Sequence, residues 1–380
     1  MIKQYYKQAL AQLRQHPLIS IIGIVGTALS IFLIMLVVMM QQVKVAPFSP
    51  ESNRNRFLHV HYMSISHKDW GNGTSNGPMS VQTAREVYKS LKTPEAVTVY
   101  CCMTVSTPVS LPGAPAIGAD VRETDDTFFH VFDFQFTDGK PYDEATFTAG
   151  RPVAVITESI SRALFGSIQS VGKEFLLSHA PYRVVGVVKD VSTLADMAYG
   201  QVWIPFTSTN LSNDTWSDNH MGMMSVTLLA HDREDFDEIR AEAKRRMNEY
   251  NSILADQGYT LIDRNRPYDQ ETQSISFAAN LEPDLKAARR ERAINLSSMT
   301  QSRLRQRVAE IGVRRAFGST RIEMVGQIVM ENLVITLLAG AIGLLISILF
   351  AYWGTDILFA QPYSVTLNAP TVDSRILLQP

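Results

Sequence analysis

Cysteine is scarce in this sequence, which has only two in 380 residues, and the two are adjacent, Cys101 and Cys102. Adjacent thiols suit neither a disulfide framework nor a metal site, because both need ligands that are spaced along the chain. We therefore expect two residues of a strand, one of them facing the core, and keep a strained vicinal disulfide as the alternative. A small domain held together by several disulfides is excluded.

Charge is scarce as well, since charged residues make up 19% of the chain, against about 25% in an average globular protein. Apolar residues make up 46%, and charge-free membrane segments would produce this combination. The net charge of −2 argues against a chain-wide role in binding nucleic acid. The length predicts at least two structural units.

The common sequence motifs of catalysis are missing too. There is no G-x-x-x-x-G-K-[ST] motif, and the glycine-rich segment 71–77 has no lysine after it, which predicts a flexible loop. There is also no G-x-S-x-G motif. His59 and His61 would share one face of a strand, but no third metal ligand is close in sequence. We therefore predict no catalytic, cofactor-binding or metal-binding residues, and we expect that the chain is not an enzyme in its own right.

Long apolar runs lie near both ends of the chain. Residues 18–40 carry no formal charge and exceed the roughly 20 residues that a membrane crossing needs. The run is too long for a signal peptide and is not followed by a cleavage site. Lys3, Lys7 and Arg14 precede it and place the N-terminus in the cytoplasm by the positive-inside rule. A second charge-free run, residues 333–353, predicts another transmembrane helix.

These runs divide the chain into three parts. Residues 1–43 predict an amphipathic helix on the inner membrane surface followed by the first transmembrane helix. Residues 44–286 contain no further apolar run and predict a large α+β domain outside the cytoplasm. Its predicted strands are 56–65, 152–156, 174–177, 182–188 and 225–230, and its predicted helices are 80–91, 159–165 and 235–254. The last helix should face the core with the apolar residues at helical spacing, which are Phe236, Ile239, Ala243, Met247, Tyr250 and Leu254. We expect two lobes, one formed by residues 52–98 with 220–283, and an inserted one formed by residues 99–215.

Several fragments, in order along the chain, resemble a known family. They are Pro152-Val-Ala-Val-Ile-Thr-Glu-Ser, Arg162-Ala-Leu-Phe-Gly, Val171-Gly-Lys, Tyr182-Arg-Val-Val-Gly-Val-Val-Lys-Asp, Val202-Trp-Ile-Pro and Arg307-Val-Ala-Glu-Ile-Gly-Val-Arg-Arg-Ala-Phe-Gly. The first five are similar to the periplasmic core domain of MacB-type ABC transporter permeases. The last is similar to the FtsX-like permease domain, here residues 287–380.

The resemblance implies a permease subunit in the cell inner membrane that uses ATP hydrolysis by a partner ABC ATPase. It also implies a second permease subunit, identical or different, and a periplasmic adaptor with a TolC-like outer-membrane channel. The expected role is export of peptides or antibiotics, with release of lipoproteins as the alternative. A membrane sensory receptor has a similar layout, but the residues after Trp353 show no long signalling helix.

The resemblance also gives the basic segment 303–321 a role as a cytoplasmic helix that couples the permease to the ATPase. Glu310 and Arg314 form a favourable i,i+4 pair on such a helix, and Gly318 would end it. A simple membrane anchor is the other interpretation. The expected coupling residues are Arg307, Glu310, Ile311, Arg314, Arg315, Phe317 and Gly318.

The predicted topology leaves one inconsistency. If residues 44–286 lie outside, the chain must return to the cytoplasm before the basic segment, yet residues 283–302 carry several charges that hydrocarbon would exclude. FtsX-like permeases have a transmembrane helix at this point. We therefore expect four transmembrane helices in the natural protein, with one lost near residues 292–295 and the chain continuing beyond Pro380.

Overall fold

The computed structural model of the protein describes residues 17–210, 214–262, 267–276, 337 and 339–350. Within these residues the chain divides into two compact units. One unit holds residues 17–42 and 339–350, and the other holds residues 43–276 without the gaps. The amphipathic helix expected at residues 1–16 and the coupling helix expected at 303–321 lie outside the described residues.

The helices, in chain order, are α1 (Pro17–Val45), α2 (Val81–Ala84), α3 (Phe128–Val131), α4 (Glu144–Thr148), α5 (Glu158–Phe165), α6 (Phe236–Leu254), α7 (Gln270–Ser276) and α8 (residues 339–350). A π-helical turn, Arg85–Lys89, extends α2, and short 3-10 turns cover Arg54–Arg56, Lys68–Trp70, Phe206–Ser208, Arg233–Asp235 and Ala255–Gln257. Across the described residues, no helix has both the length and the apolar character that a membrane crossing requires.

The first unit consists of α1 and α8, which pack through small side chains. Gly343 of α8 lies against α1 so closely that a Cβ atom there would be 2.8 Å from the carbonyl oxygen of Ala28 and 3.1 Å from Cβ of Ile31. Further along the two helices, the rings of Phe32 and Phe350 meet edge to face, with centroids 5.6 Å apart. A side chain larger than hydrogen at position 343 would therefore push the helices apart.

The second unit is built on β-strands. They are β1 (Phe57–Val60), β2 (Met63–His67), β3 (Ser75–Gly77), β4 (Ala96–Cys101), β5 (Val105–Ser110), β6 (Ile117–Thr124), β7 (Phe136–Gly139), β8 (Val153–Thr157), β9 (Glu174–Leu177), β10 (Ala180–Val188), β11 (Val202–Pro205), β12 (Met224–Leu229), β13 (Tyr259–Ile262) and β14 (Tyr268–Asp269). The large sheet has the order β11-β8-β10-β9-β5-β6-β4-β12-β1-β14, with β7 beside β10, and a small sheet has the order β13-β2-β3.

Part of the large sheet closes on itself. Strand β11 pairs with β8 on one side and, in parallel, with β6 on the other, so that β11, β8, β10, β9, β5 and β6 form a closed barrel. The interior is filled by apolar side chains such as Val121, Ile156, Phe175 and Ile204. Closure removes the free edges that an open sheet would expose.

Two further apolar clusters flank the barrel. One packs α2 and α6 onto the strands β1, β4 and β12. The other fills the opposite face of these strands and includes Tyr100, Phe128, Phe132 and Trp203, the last of which belongs to the barrel strand β11. The boundary predicted between the two lobes, at residues 98 and 99, therefore falls inside strand β4. This strand belongs to the same sheet as the barrel strands.

The predicted α+β class is confirmed, as are most of the individual elements. Helix α6 buries Phe236, Ile239, Ala243, Met247, Tyr250 and Leu254, the six positions that the helical spacing selects. Ser80 caps α2 by accepting a hydrogen bond from the backbone N–H of Thr83. Cys101 and Cys102 are free thiols, and Cys101 is buried at the end of β4.

Two local predictions need correction. The alternating segment 56–65 is two strands in different sheets, β1 and β2, because the chain turns at His61 and Tyr62. The glycine-rich segment 71–77 is a loop only in its first part, since Ser75–Gly77 pairs with β2 as β3. Alternation alone does not show where a strand changes sheet.

Candidate functional site

The residues predicted to contact the ATPase lie outside the described part of the chain. They are Arg307, Glu310, Ile311, Arg314, Arg315, Phe317 and Gly318. Their role stays a prediction. The described residues instead show a polar network at the start of the second unit, around the last residues of α1, and we refer to it as the root network. It consists of Glu51, Arg54, Arg122, His59, Gln270 and their hydrogen-bond partners.

Glu51 and Arg54 form a salt bridge at the centre of the root network. The Arg54 Nε atom donates to Glu51 Oε2 at 2.7 Å, and the two side chains are only 2% and 0% exposed. Burial of an ion pair has a large desolvation cost, which only good geometry and further hydrogen bonds offset. The guanidinium also stacks over the ring of Phe48, at 4.2 Å from its centroid.

The remaining hydrogen bonds of this ion pair connect the end of α1 to a distant loop, residues 189–201. Arg54 Nη1 donates to the Ala46 carbonyl at 3.0 Å, and Nη2 donates to the Leu194 carbonyl at 2.7 Å. Glu51 Oε1 accepts from the backbone N–H groups of Met197 and Ala198, both at 2.9 Å. One buried pair therefore holds both the first residues of the unit and the loop between β10 and β11.

Arg122 holds the same loop from the barrel side. It belongs to β6, is 4% exposed, and donates through Nε to the Tyr199 carbonyl at 2.5 Å and through Nη2 to the Asp196 carbonyl at 3.0 Å. Its third donor, Nη1, binds the Cys101 carbonyl at 2.9 Å. Burial raises the pKa of the nearby Asp196 carboxyl. The loop is thus fixed on one side by the residues after α1 and on the other by the barrel.

A second chain of hydrogen bonds runs through His59. Its Nε2 atom is 2.8 Å from Gln270 Oε1, and Gln270 Nε2 donates to the Lys44 carbonyl at 2.8 Å. Because an amide oxygen can only accept, Nε2 of His59 carries the proton, and Nδ1 accepts from Thr227 Oγ1 at 3.0 Å. Tyr100 completes the chain with a 2.8 Å contact to Thr227.

The two histidines at the end of β1 differ in exposure, since His59 is fully buried and His61 is partly buried. Their rings stack with centroids 6.1 Å apart, and His61 Nδ1 lies 3.1 Å from Ser225 Oγ. Burial lowers the pKa of His59 to about 4 and that of His61 to about 3, so both rings are neutral at neutral pH. In the described ranges, no three His, Cys, Asp or Glu side chains are grouped so that they could hold a metal ion.

Comparison with known proteins agrees with this architecture. The model of the MacB-like periplasmic core domain matches residues 18–246, and the model of the FtsX-like permease C-terminal domain matches residues 293–378. The chain belongs to this family of ABC transporter permeases. The resemblance of its fragments to MacB-type and FtsX-like permeases is therefore confirmed.

Individual relatives are distant. An uncharacterized ABC transporter permease of Bacillus subtilis, YknZ, is 21% identical over 227 residues, which are 60% of this chain and 55% of YknZ. The macrolide export ATP-binding/permease protein MacB of Burkholderia pseudomallei is 23% identical over 263 residues, 69% of this chain and 39% of MacB. This permease therefore spans about half, or less, of the length of these curated relatives.

Among solved structures, the periplasmic region of MacB from Actinobacillus actinomycetemcomitans matches with a TM-score of 0.39 and 18% identity, covering 58% of this chain and 94% of that structure. The extracellular domain of YknZ, from Gram-positive bacteria, matches with a TM-score of 0.37 and 14% identity, covering 53% of this chain and all of that structure.

Sequence reasoning missed the root network. Its partners are far apart in sequence, as Arg54 and Leu194 are 140 positions apart and Gln270 and Lys44 are 226 apart. The strand that holds Arg122 gives no local signal either, because β6 also carries the charged residues Asp120 and Glu123. A charge that folding buries must find partners, because its desolvation is otherwise too costly.

Proposed function

We propose that this permease is the membrane subunit of an ABC exporter, in which ATP hydrolysis by a separate ATPase subunit changes the conformation of the extracytoplasmic domain. Two permease subunits form the working unit, and a periplasmic adaptor with a TolC-like outer-membrane channel receives the substrate. Peptides or antibiotics are the proposed cargo. Family membership supports this proposal, and the matched MacB proteins are named as macrolide export ATP-binding/permease proteins.

The proposed topology places the chain in the cell inner membrane with the N-terminus in the cytoplasm and residues 44–286 in the periplasm. Residues 18–40 and 333–353 supply two of its four transmembrane helices, and residues 303–321 supply the helix that contacts the ATPase. The absence of charge in the two apolar runs and the basic residues before the first one support this arrangement. We also propose two lobes, residues 52–98 with 220–283 and residues 99–215, which are joined through strand β4 because that strand crosses their boundary.

The root network is the observation that best supports a mechanical role. Any movement of the last turn of α1 displaces Ala46, whose carbonyl is bound to Arg54. Arg54 and Glu51 pass the displacement to the loop at Leu194 and Met197, and Arg122 passes it to the barrel. Each step is a charge-assisted hydrogen bond in a buried or partly buried site, and such bonds are shorter and stronger than those between neutral groups.

Replacing Arg54 by lysine tests this path. Lysine keeps the positive charge but offers a single ammonium group, which cannot donate to Glu51, Ala46 and Leu194 in the forked geometry of a guanidinium. In cells and in purified complexes, we expect Arg54→Lys to retain the ATPase subunit while export falls at least tenfold. Arg183→Lys is the matched control, because Arg183 pairs with Glu174 at a site where both side chains are about 60% exposed.

Two results would contradict the proposal. If Arg54→Lys exports as well as the unmodified chain, the root network is only structural. If the chain purifies from its host without an ABC ATPase but with a kinase, the receptor interpretation replaces the transporter. Mass spectrometry of the subunits that purify with the detergent-solubilised chain distinguishes these cases.

A further inference from the structure

One end of the closed barrel carries a carboxyl group in an apolar surrounding. Along β6, Ala119 and Val121 point into the barrel core, and Glu123 follows at the next inward position. Glu123 pairs in register with Ile204 of β11, which also belongs to the barrel core. The carboxyl therefore lies on the inner face of the barrel, at the end where β6 and β11 finish.

Glu123 is held in place by the segment that follows β11. Thr209 Oγ1 donates to Glu123 Oε2 at 2.6 Å. Next to it, Tyr182 of β10 is 5% exposed, and its hydroxyl lies 3.2 Å from Ser208 Oγ. Burial raises the pKa of Glu123 to about 7, with the Thr209 hydrogen bond acting in the opposite direction. A cation close to a partly buried carboxyl of this kind stabilises its charged form.

The barrel is open beside this carboxyl. Val105 of β5 is paired with Val121 of β6 and shares its inward face, yet Val105 is 49% exposed whereas Val121 is 6% exposed. Met103, two residues before Val105, is 50% exposed. An inward-pointing apolar side chain that remains exposed marks an opening, and we call this opening, bounded by Val105, Glu123, Tyr182 and Thr209 with the exposed Met103 just before β5, the barrel mouth.

We infer that the barrel mouth binds a small amphipathic amine, with its ammonium group on Glu123 and its apolar part on Met103 and Val105. Charge complementarity selects the ligand, because an anion would be repelled and a neutral apolar molecule would remove water from the carboxylate without supplying an opposite charge. The inference rests on the proposed function, since it names a class of cargo for the exporter. Binding can nevertheless be measured without the ATPase or the adaptor.

Carbodiimide labelling of Glu123 provides the test, because these reagents modify carboxyls in apolar surroundings. The full chain in lipid nanodiscs is treated with dicyclohexylcarbodiimide in the presence of phenethylamine or of 2-phenylethanol, which has the same apolar part without the charge. Peptide mass spectrometry quantifies total modification at Glu123, as the sum of the N-acylurea adduct and of the amide that a primary amine forms with the activated carboxyl. We expect phenethylamine to slow the modification at least tenfold and 2-phenylethanol to slow it less than twofold.

Two variants test the charged group and an apolar residue of the barrel mouth separately. By NMR saturation transfer, Glu123→Gln, which keeps an acceptor for Thr209, should weaken phenethylamine binding at least tenfold. Val105→Ser should weaken it at least threefold with Glu123 intact. Val171→Ser is the control, because Val171 is 43% exposed elsewhere on the domain. This variant should bind as the unmodified chain does.

Three outcomes would overturn the inference: equal protection by the alcohol, unchanged amine binding in Glu123→Gln, or failure of the reagent to reach Glu123 in the unliganded chain. Protection by a co-purifying protein in the absence of amine would assign the barrel mouth to a protein partner instead. If the chain binds the amine as expected but does not export, the proposed function is refuted and the binding site at the barrel mouth is retained.

Discussion

The side-chain amide of Gln270 donates a hydrogen bond to the backbone carbonyl of Lys44, 226 positions earlier in the chain. Lys44 is in the last turn of α1, and Gln270 is the first residue of α7. The segment that enters the second unit and the segment that ends its described part are therefore joined directly. The same glutamine contacts His59 of β1, which fixes this junction to the large sheet.

The buried ion pair predicts a large and specific loss of stability. Arg54→Ala leaves Glu51 buried without its cation and should lower the free energy of unfolding by about 3–5 kcal/mol. Arg183→Ala removes one member of an exposed pair and should change it by less than about 1 kcal/mol. Urea unfolding of the full chain in detergent, followed by the intrinsic tryptophan fluorescence to which the buried Trp203 contributes, measures both. Equal effects of the two substitutions would show that the buried pair contributes no more to the free energy of unfolding than an exposed pair does.

The buried histidines predict that stability falls in mild acid. In the unfolded chain a histidine binds its proton near pH 6.5, whereas in the folded chain the pKa is about 4 for His59 and about 3 for His61. Between these values the unfolded state binds more protons. The two histidines should therefore add no pH dependence above pH 7 and should lower the free energy of unfolding below pH 6.5, by about 1.4 kcal/mol per pH unit each, whereas Glu123, whose pKa folding raises to about 7, contributes with the opposite sign.

Glutamine variants isolate this contribution from that of the carboxyls. His59→Gln keeps a hydrogen-bonding side chain but does not titrate, so urea unfolding between pH 7 and pH 5 should show a shallower decline than in the unmodified chain. His130→Gln replaces a side chain that is 64% exposed and should leave the slope unchanged. A slope that is the same in all three proteins would contradict the assignment.

The close contact between α1 and α8 predicts a difference between two glycines. A Cβ at Gly343 would lie 2.8 Å from a backbone carbonyl that cannot move aside, whereas a Cβ at Gly340 would meet only Ile31 Cδ1, at 3.8 Å. Gly343→Ala should lower the thermal denaturation temperature of the detergent-solubilised chain by several degrees, and Gly340→Ala should not. A cysteine cross-link between positions 32 and 350, whose rings are in contact in the unmodified chain, that forms equally fast in both variants would show that the helices do not separate.

Reversal of charge in the predicted coupling helix should separate the permease from its ATPase. Glu310→Lys or Arg314→Glu breaks a favourable i,i+4 pair in the basic segment, and we expect loss of ATPase association and export with normal membrane insertion. Arg303→Glu, at the edge of the segment, is the control. Full export in both coupling variants would leave the segment as a membrane anchor only.

The sequence predicted the parts of the fold that depend on local pattern. The apolar spacing in 236–254 selected the buried face of α6, because packing against one surface imposes a period near 3.6. Barrel closure could not be predicted, because it depends on pairing between β6 and β11, which are far apart in the chain. The same applies to Arg122 and Glu123, neighbours whose side chains point to opposite faces and bind different partners.

Strand pairing also determines the order in which the nascent chain can fold. Strand β1 pairs only with β12 and β14 among the described strands, and both are synthesised after every strand of the barrel. The barrel, complete by Pro205, is therefore the first body that can form. Until Leu229 has emerged, β1 and one edge of β4 expose unpaired backbone groups to other chains. We expect the newly made protein to depend on a chaperone after Pro205 has been synthesised and until Leu229 has emerged.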